Sequence, residues 1–138
     1  MQIQPYLFFN GEAGDAISFY KDALGAEVVM MMPMSEAPPE FEVPADRGDW
    51  VMHCTLKVGD VQFHLSDDFT ANADPMAGCN VMITRPTATE AKSTFDALSE
   101  GGVITMPWTP TFWSAGFGTF TDKFGIRWMV GCDEVPAS

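Results

Sequence analysis

Hydrophobic and polar positions follow the same order twice along this chain. The segments F19-Y-K-D-A-L-G-A-E-V-V-M-M-M-P33 and F95-D-A-L-S-E-G-G-V-I-T-M-P107 each run from an amphipathic helix through glycine into a short apolar strand ending at Met-Pro. Such self-similarity indicates a duplicated supersecondary unit. We therefore predict a single domain over residues 1–138, built from two modules that span about 1–68 and 78–133.

The first module opens with an extended run, I3-Q-P-Y-L-F-F9, and then shows helical periodicity. Apolar residues between Ala13 and Leu24 recur at i, i+3 and i+4 spacing, which predicts a helix with one buried face. Gly25 follows as the glycine that commonly ends a helix, and the apolar run V28-V-M-M-M32 predicts the next strand.

A hairpin is predicted where W50-V-M-H-C-T-L-K-V58 and V61-Q-F-H-L-S66 flank the two-residue turn G59-D60. The turn fixes the register and gives the hairpin one apolar face and one polar face. Both histidines of the chain, His53 and His64, fall on the polar face, which indicates a pocket. The polar anchors predicted for a ligand there are His53, Thr55, Gln62 and His64.

The segment between these strands has an unusual composition. Four prolines and four acidic residues lie within residues 33–48, so a helix or a central strand is excluded. A loop of this length in a small domain is either mobile or functional. A lid over a cavity is one of the roles open to residues 33–49.

The second module repeats the order of the first. The apolar run C79-N-V-M-I-T84 predicts its first strand, and T87-A-T-E90 is a capping box in which Thr87 is the N-cap and Glu90 reaches back. Gly101 and Gly102 end the helix that follows. Its predicted buried stripe consists of Ala88, Ala91, Phe95 and Leu98.

Three strands and an aromatic loop complete the second module. The strand V103-I-T-M106 leads into the loop P107-W-T-P-T-F-W-S-A-G116, and F117-G-T-F-T121 and I126-R-W-M-V130 then pair across a tight turn. Small-molecule sites have mostly apolar walls. The aromatic residues of this segment have two interpretations, which are core or dimer packing and an apolar wall for a flat ligand. These residues are Trp108, Phe112, Trp113 and Phe117.

Charge and cysteine content exclude several classes of function. Seven Lys and Arg against 19 Asp and Glu give a net charge of −12, which disfavours nucleic acid and anionic membranes as partners. The chain has no apolar run of the roughly 20 residues that a membrane span needs, and no signal-peptide pattern, so we expect a cytoplasmic protein. The cysteines are odd in number and lack zinc-site spacing, so no structural disulfide is expected. Cys54 and Cys79 are predicted to be buried in strands and Cys132 to be an exposed thiol.

Several motifs together resemble one large family. The segments P5-Y-L-F-F-N-G11, H53-C-T-L56, L65-S-D67, F112-W-S-A-G-F-G118 and F120-T-D-K-F-G-I-R-W128 are similar to those of the PhnB-like branch of the vicinal-oxygen-chelate superfamily, which includes glyoxalase I, bleomycin-resistance proteins and extradiol dioxygenases. The resemblance implies an α+β fold of two tandem βαβββ modules forming a glyoxalase-like half-barrel pair. It also implies a ligand cavity on the concave faces and a homodimer.

The resemblance further implies where a metal would bind in active relatives. The corresponding positions are Gln4, His64, Asn80 and Met129. His64 and Gln4 are usable ligands, but Asn80 is a poor one and the thioether of Met129 does not bind hard divalent ions. A catalytic metal needs more ligands than these two, which favours a protein without a resident metal and leaves a divalent metal on His64 and Gln4 as the alternative.

Three functions therefore stay open. The first is a PhnB-like protein that binds an unidentified small molecule, with no reaction assigned to it. The second is a metal-dependent lyase, isomerase or dioxygenase that uses His64 and Gln4. The third is an antibiotic-sequestering protein of the bleomycin-resistance type, whose acidic surface attracts a cationic drug into a dimer groove lined by Trp113. A methyltransferase is not expected, because the chain has no glycine-rich loop for S-adenosylmethionine.

Overall fold

The structure is a computed structural model that describes residues 1–137, and the chain divides into two compact units. The first unit spans Met1–Asp74 and the second begins at Pro75. Each unit contains one four-stranded sheet and one α-helix, so the predicted α+β class is confirmed. In the part of the chain that the structure describes, no helix is long and apolar enough to cross a membrane.

The first unit contains the elements β1 (Tyr6–Phe9), α1 (Ala13–Leu24), β2 (Glu27–Pro33), β3 (Val51–Val58) and β4 (Val61–Asp67). Its sheet has the strand order β1-β4-β3-β2, with β1 parallel to β4 and the other pairs antiparallel. The hairpin register confirms the prediction, since Cys54 opposes Leu65 and Thr55 opposes His64. The helix has the predicted bounds and ends at Gly25 in the left-handed conformation.

The core of the first unit lies between α1 and one face of its sheet. The helix buries Ala13, Ala16, Ile17 and Tyr20, which recur at the spacing of one helical face. The sheet contributes alternate residues to the same core, as expected for side chains that point to opposite faces. These buried sheet residues are Leu7, Phe9, Cys54, Leu56, Phe63 and Leu65.

The proline-rich segment between β2 and β3 contains three short 3-10 turns, Met34–Glu36, Pro39–Phe41 and Ala45–Arg47. Its two ends are held together, since the backbone N–H of Met34 donates to the carbonyl of Trp50 over 2.7 Å. The guanidinium of Arg47 lies 4.5 Å from the centre of the Trp50 ring. A role as a lid stays a prediction.

The second unit contains the elements β5 (Val81–Arg85), α2 (Ala88–Ser99), β6 (Val103–Thr109), β7 (Phe117–Thr121) and β8 (Arg127–Cys132). It has the same topology as the first, with strand order β5-β8-β7-β6 and β5 parallel to β8. Thr87 caps its helix by accepting the N–H of Glu90, while the carboxylate of Glu90 lies 3.7 Å from Arg85 instead of reaching back.

Two of the cysteine predictions are wrong. Cys79 is exposed because β5 begins only at Val81, after the cysteine. Cys132 is buried because β8 continues through it and pairs it with Arg85. The Ser114 hydroxyl lies 3.3 Å from the Cys132 sulfur and accepts the Cys132 N–H over 3.2 Å. All three cysteines are free thiols.

Candidate functional site

A chain of hydrogen bonds crosses the polar face of the sheet in the first unit. The Tyr6 hydroxyl lies 3.0 Å from Nδ1 of His53, whose Nε2 lies 3.2 Å from the hydroxyl of Thr55. That hydroxyl lies 2.9 Å from Nδ1 of His64, whose Nε2 lies 2.6 Å from Oε1 of Gln4. Four of the residues predicted as ligand or metal positions are thus directly linked.

In this chain of hydrogen bonds, every donor points in the same direction. Gln4 donates its amide N–H to Oε1 of Gln2 over 3.1 Å, so its own Oε1 is the atom that accepts from Nε2 of His64. Neutral His64 therefore carries its proton on Nε2, and its Nδ1 accepts the hydroxyl proton of Thr55. The same reasoning places the proton of His53 on Nε2 and makes the tyrosine hydroxyl a donor. Hydrogen bonds in such a chain polarise one another and rigidify the face.

The two imidazoles also affect each other electrostatically. Their ring centres lie 5.3 Å apart with an angle of 28° between the planes. Burial lowers the pKa of His53 below its ordinary value of 6.5, and the neighbouring His64 lowers it further. Both effects disfavour the charged form. His53 is accordingly neutral at pH 7 and can take part in the chain as described.

A buried carboxylate holds this face in place. Asp67, at the end of β4, accepts backbone N–H groups from Gly11 over 2.8 Å, Ala13 over 3.0 Å and Val51 over 2.9 Å. It therefore ties the start of α1 and the start of β3 to the strand that carries the second histidine. Asp67 is buried at the end of its strand and not solvated, because these N–H groups at element ends need an acceptor.

A cavity of about 560 Å³ also lies in the first unit, and Phe8 lines it. The ring of Phe8 stacks on the ring of Tyr6 at 4.9 Å, so an aromatic pair joins the cavity to the hydrogen-bonded chain. Neither histidine lines the cavity. The sequence analysis did not predict this cavity, although Tyr6 and Phe8, two residues apart in β1, indicate an aromatic face there. Other lining residues include Met34, Phe69, Asp68, Asn72 and Asp74.

The remaining predicted ligand residues occupy separate places. Gln62 lies on the polar face opposite Lys57 and outside the chain of hydrogen bonds. In the second unit, Trp108 packs against Phe95 of α2, with 5.3 Å between the two ring centres. Phe117 is buried. Trp113 is exposed and lies edge-on to Phe117 at 5.4 Å.

The donor set implied for a divalent metal is short. Gln4 Oε1 and His64 Nε2 are adjacent, but catalytic zinc sites take three protein ligands. Among residues 1–137, no group of three or more His, Cys, Asp and Glu side chains is arranged to hold a metal. Asn80, in the second unit, has a buried amide oxygen without a hydrogen-bond partner, whereas Met129 offers only a thioether. These residues do not form a complete site for a hard divalent metal, and we assign no reaction step to such a metal.

Comparison with known proteins identifies the family. The sequence profile of the Glyoxalase/Bleomycin resistance protein/Dioxygenase superfamily matches residues 2–130. The chain belongs to this superfamily. Protein PA1353 from Pseudomonas aeruginosa, known from a crystal structure, is 42% identical, with a TM-score of 0.87 over 96% of this chain and 98% of that one.

Two further relatives refine the position within the superfamily. Protein YjdN of Escherichia coli (strain K12) is 31% identical over 138 residues, or 94% of each chain. A PhnB protein from Bacillus cereus is 25% identical, with a TM-score of 0.79 over 96% of this chain and 99% of that one. The predicted resemblance to the PhnB-like branch of the superfamily is confirmed.

Proposed function

We propose that this glyoxalase-superfamily protein binds a small molecule in its first unit. The observation that carries the proposal is the hydrogen-bonded chain through His53, Thr55 and His64, which lies beside an exposed aromatic pair and a cavity. A volume of about 560 Å³ is within the range of small-molecule sites, which combine apolar walls with a few polar anchors.

The lining favours a ligand with an apolar or aromatic body and a hydrogen-bond-donating or basic group. Phe8 and Phe69 supply apolar wall, and Asp68 and Asp74 supply acceptors. Hydrogen bonds from Thr70 lower the pKa of Asp68, so this carboxylate is charged at pH 7. On the sheet face, the hydroxyl oxygens of the chain keep lone pairs that can accept from a ligand.

A screen of small aromatic fragments with amine or amide groups tests the proposal, with saturation-transfer NMR as the readout. Binding is expected to the wild type and to be lost in Phe8→Ala, because Phe8 is 58% exposed and lines the cavity. Phe112→Ala is the control, since this exposed ring lies in the second unit. Fragments lost in Phe112→Ala but kept in Phe8→Ala would contradict the proposal.

A metal-dependent lyase, isomerase or dioxygenase is a second candidate. The adjacency of His64 and Gln4 favours it. It requires stoichiometric zinc, nickel or manganese in the purified protein, measured by elemental analysis, and a loss of that metal in His64→Ala. Thermal shift with each ion is the independent readout, because a bound ion stabilises the folded state.

Sequestration of a cationic antibiotic is favoured by the net charge of −12 and by the exposed ring of Trp113. It predicts that a basic drug of the bleomycin class quenches tryptophan fluorescence and that salt weakens the effect. Trp113→Phe should remove most of the quenching. Fluorescence that is unchanged by such drugs at low salt would argue against this function.

The exposed edge strand β6 supports a homodimer. Val103, Ile104 and Met106 are exposed apolar residues on this strand, and an apolar edge favours pairing with another chain. Val103→Lys should therefore convert a dimer into a monomer in size-exclusion chromatography with light scattering. Val61→Lys is the control, since Val61 is similarly exposed on a strand of the first unit. Equal masses for the wild type and Val103→Lys would contradict an interface at β6.

A further inference from the structure

Three consecutive methionines in β2 lie opposite the histidine-bearing strand β3. Met30 pairs with Thr55 and Met32 pairs with His53, while Met31 pairs with Cys54 on the alternate face. Residues two apart in a strand share a face. Met30 and Met32 therefore lie on the same face of the sheet as His53.

The register brings two thioethers and one imidazole to neighbouring positions on one face of the sheet. Residues i and i+2 of a strand lie roughly 6.6 Å apart, and directly opposed Cβ atoms lie about 4.5–5.5 Å apart. Methionine is unbranched and has three rotatable bonds, so the sulfurs of Met30 and Met32 can adapt to a shared ligand. Met30 is 42% exposed and Met32 is half-buried, which gives an ion access from solvent.

The hydrogen bonds of His53 suit a role as a ligand. Its Nε2 points along β3 to Thr55, the residue paired with Met30, over a long hydrogen bond of 3.2 Å. An ion bound to Nε2 would replace this bond and move the ring proton to Nδ1. The Tyr6 hydroxyl, 3.0 Å from Nδ1, would then accept that proton in a hydrogen bond and hold the ring in place.

We propose that Met30, Met32 and His53 form a binding site for a soft monovalent metal ion, Cu⁺ in the reduced state. Thioether sulfur selects Cu⁺ over hard divalent ions, and imidazole also suits copper. Imidazole binds a metal in its neutral form, through the lone pair of one ring nitrogen. The site goes beyond the proposed small-molecule function and shares only His53 with it.

The test uses Ag⁺, a redox-inert soft ion, followed by Cu⁺ with a competing chromophoric chelator under anaerobic conditions. Cys79→Ser is the parent protein, because the exposed thiol of Cys79 would compete for either ion. Burial raises the pKa of the Cys54 thiol to about 11, so it stays protonated. We expect one Ag⁺ per chain, with shifts of the Met30 and Met32 methyl signals and of the His53 ring nitrogens in NMR spectra.

Substitutions separate this site from nonspecific thioether binding. Met30→Leu and Met32→Leu should each weaken Cu⁺ binding by at least about tenfold, as loss of even an outer partner does at metal sites. Met106→Leu is the matched control, because Met106 is 45% exposed on an edge strand of the second unit and is not part of the proposed site. This variant should bind Cu⁺ with the same affinity as the parent protein.

Two results would overturn the proposal. One is equal affinity in the parent and both leucine variants. The other is that Ag⁺ shifts only the NMR methyl signals of Met82 and Met129. These two residues are paired neighbours in the second unit, which contains no histidine. Because both leucine variants keep Tyr6, His53 and the rest of the hydrogen-bonded chain, the fragment screen can fail or succeed independently of this test.

Discussion

The indole N–H of Trp128 donates a hydrogen bond to Oδ2 of Asp122 over 2.9 Å inside the last hairpin. The other carboxylate oxygen accepts the backbone N–H groups of Phe124 over 2.8 Å and Ile126 over 3.0 Å. One buried carboxylate thus organises the turn between β7 and β8 and fixes the tryptophan that follows it. The motif D122-K-F-G-I-R-W128, which carried part of the family resemblance, therefore stabilises the last hairpin of the second unit.

Asp122→Asn should lower the free energy of unfolding by about 2–3 kcal/mol. The amide has one acceptor in place of two, and buried donors that lose a charged partner are costly. Urea unfolding followed by circular dichroism measures the change. Asp133→Asn, at an exposed position just after β8, should change stability by no more than about 0.5 kcal/mol. Similar values for the two variants would refute the role given to Asp122.

Asp67→Asn should have a comparable effect in the first unit, about 2–3 kcal/mol, because it removes an acceptor shared by α1 and β3. Hydrogen exchange should increase first at the N–H groups of Ala13 and Val51, which the carboxylate accepts. Asp22→Asn, on the exposed side of α1, is the control. Unchanged exchange at both N–H groups would show that the carboxylate does not fix these element ends.

The stability of the protein should depend on the protonation of His53. Its folded-state pKa lies below the unfolded value of 6.5, so the unfolded state binds more protons between the two pKa values. The associated stability is therefore present in full above pH 6.5 and is lost as the pH falls through the folded-state pKa. Urea midpoints between about pH 5 and 8 should decrease less in His53→Gln than in the wild type. Parallel curves would contradict this linkage.

Both histidines should be Nε2–H tautomers at pH 8, as the direction of the hydrogen-bonded chain requires. Correlation spectra of ¹⁵N-labelled imidazoles report the tautomer directly. Thr55→Val keeps the side-chain shape but removes the hydroxyl between the two rings, so the Nδ1 signal of His64 should shift. An Nδ1–H tautomer at either ring in the wild type would reverse the assigned direction.

Two glycine substitutions should change stability in opposite directions. A methyl group at Gly118 would lie 2.5 Å from the ring of Phe95, so Gly118→Ala should cost about 1–3 kcal/mol. Gly14 lies in the first turn of α1 with open space around it, so Gly14→Ala should stabilise by about 0.5 kcal/mol through helix propensity. Thermal unfolding should show a lower melting temperature for Gly118→Ala and a higher one for Gly14→Ala than for the wild type.

Local patterns predicted most of the fold because their causes are local. The i, i+3, i+4 spacing and Gly25 predicted both ends of α1, and the G59-D60 turn fixed the register that sets Thr55 opposite His64. The errors fell at strand ends, where pairing partners decide the boundary. Cys79 precedes β5, and Cys132 is buried by its pairing with β5.

The sequence by itself determined the duplicated α+β architecture, the two-faced hairpin and the superfamily, since periodicity, turn chemistry and motif spacing are properties of short segments. Only the tertiary structure decided what the polar residues do. It joined Gln4, just before β1, to His64 in β4, buried Asp67 and Asp122 as acceptors for backbone N–H groups, and placed Met30 and Met32 opposite β3. Most of these relationships connect residues that are distant in the sequence, and they depend on strand order and side-chain direction, which no local pattern specifies.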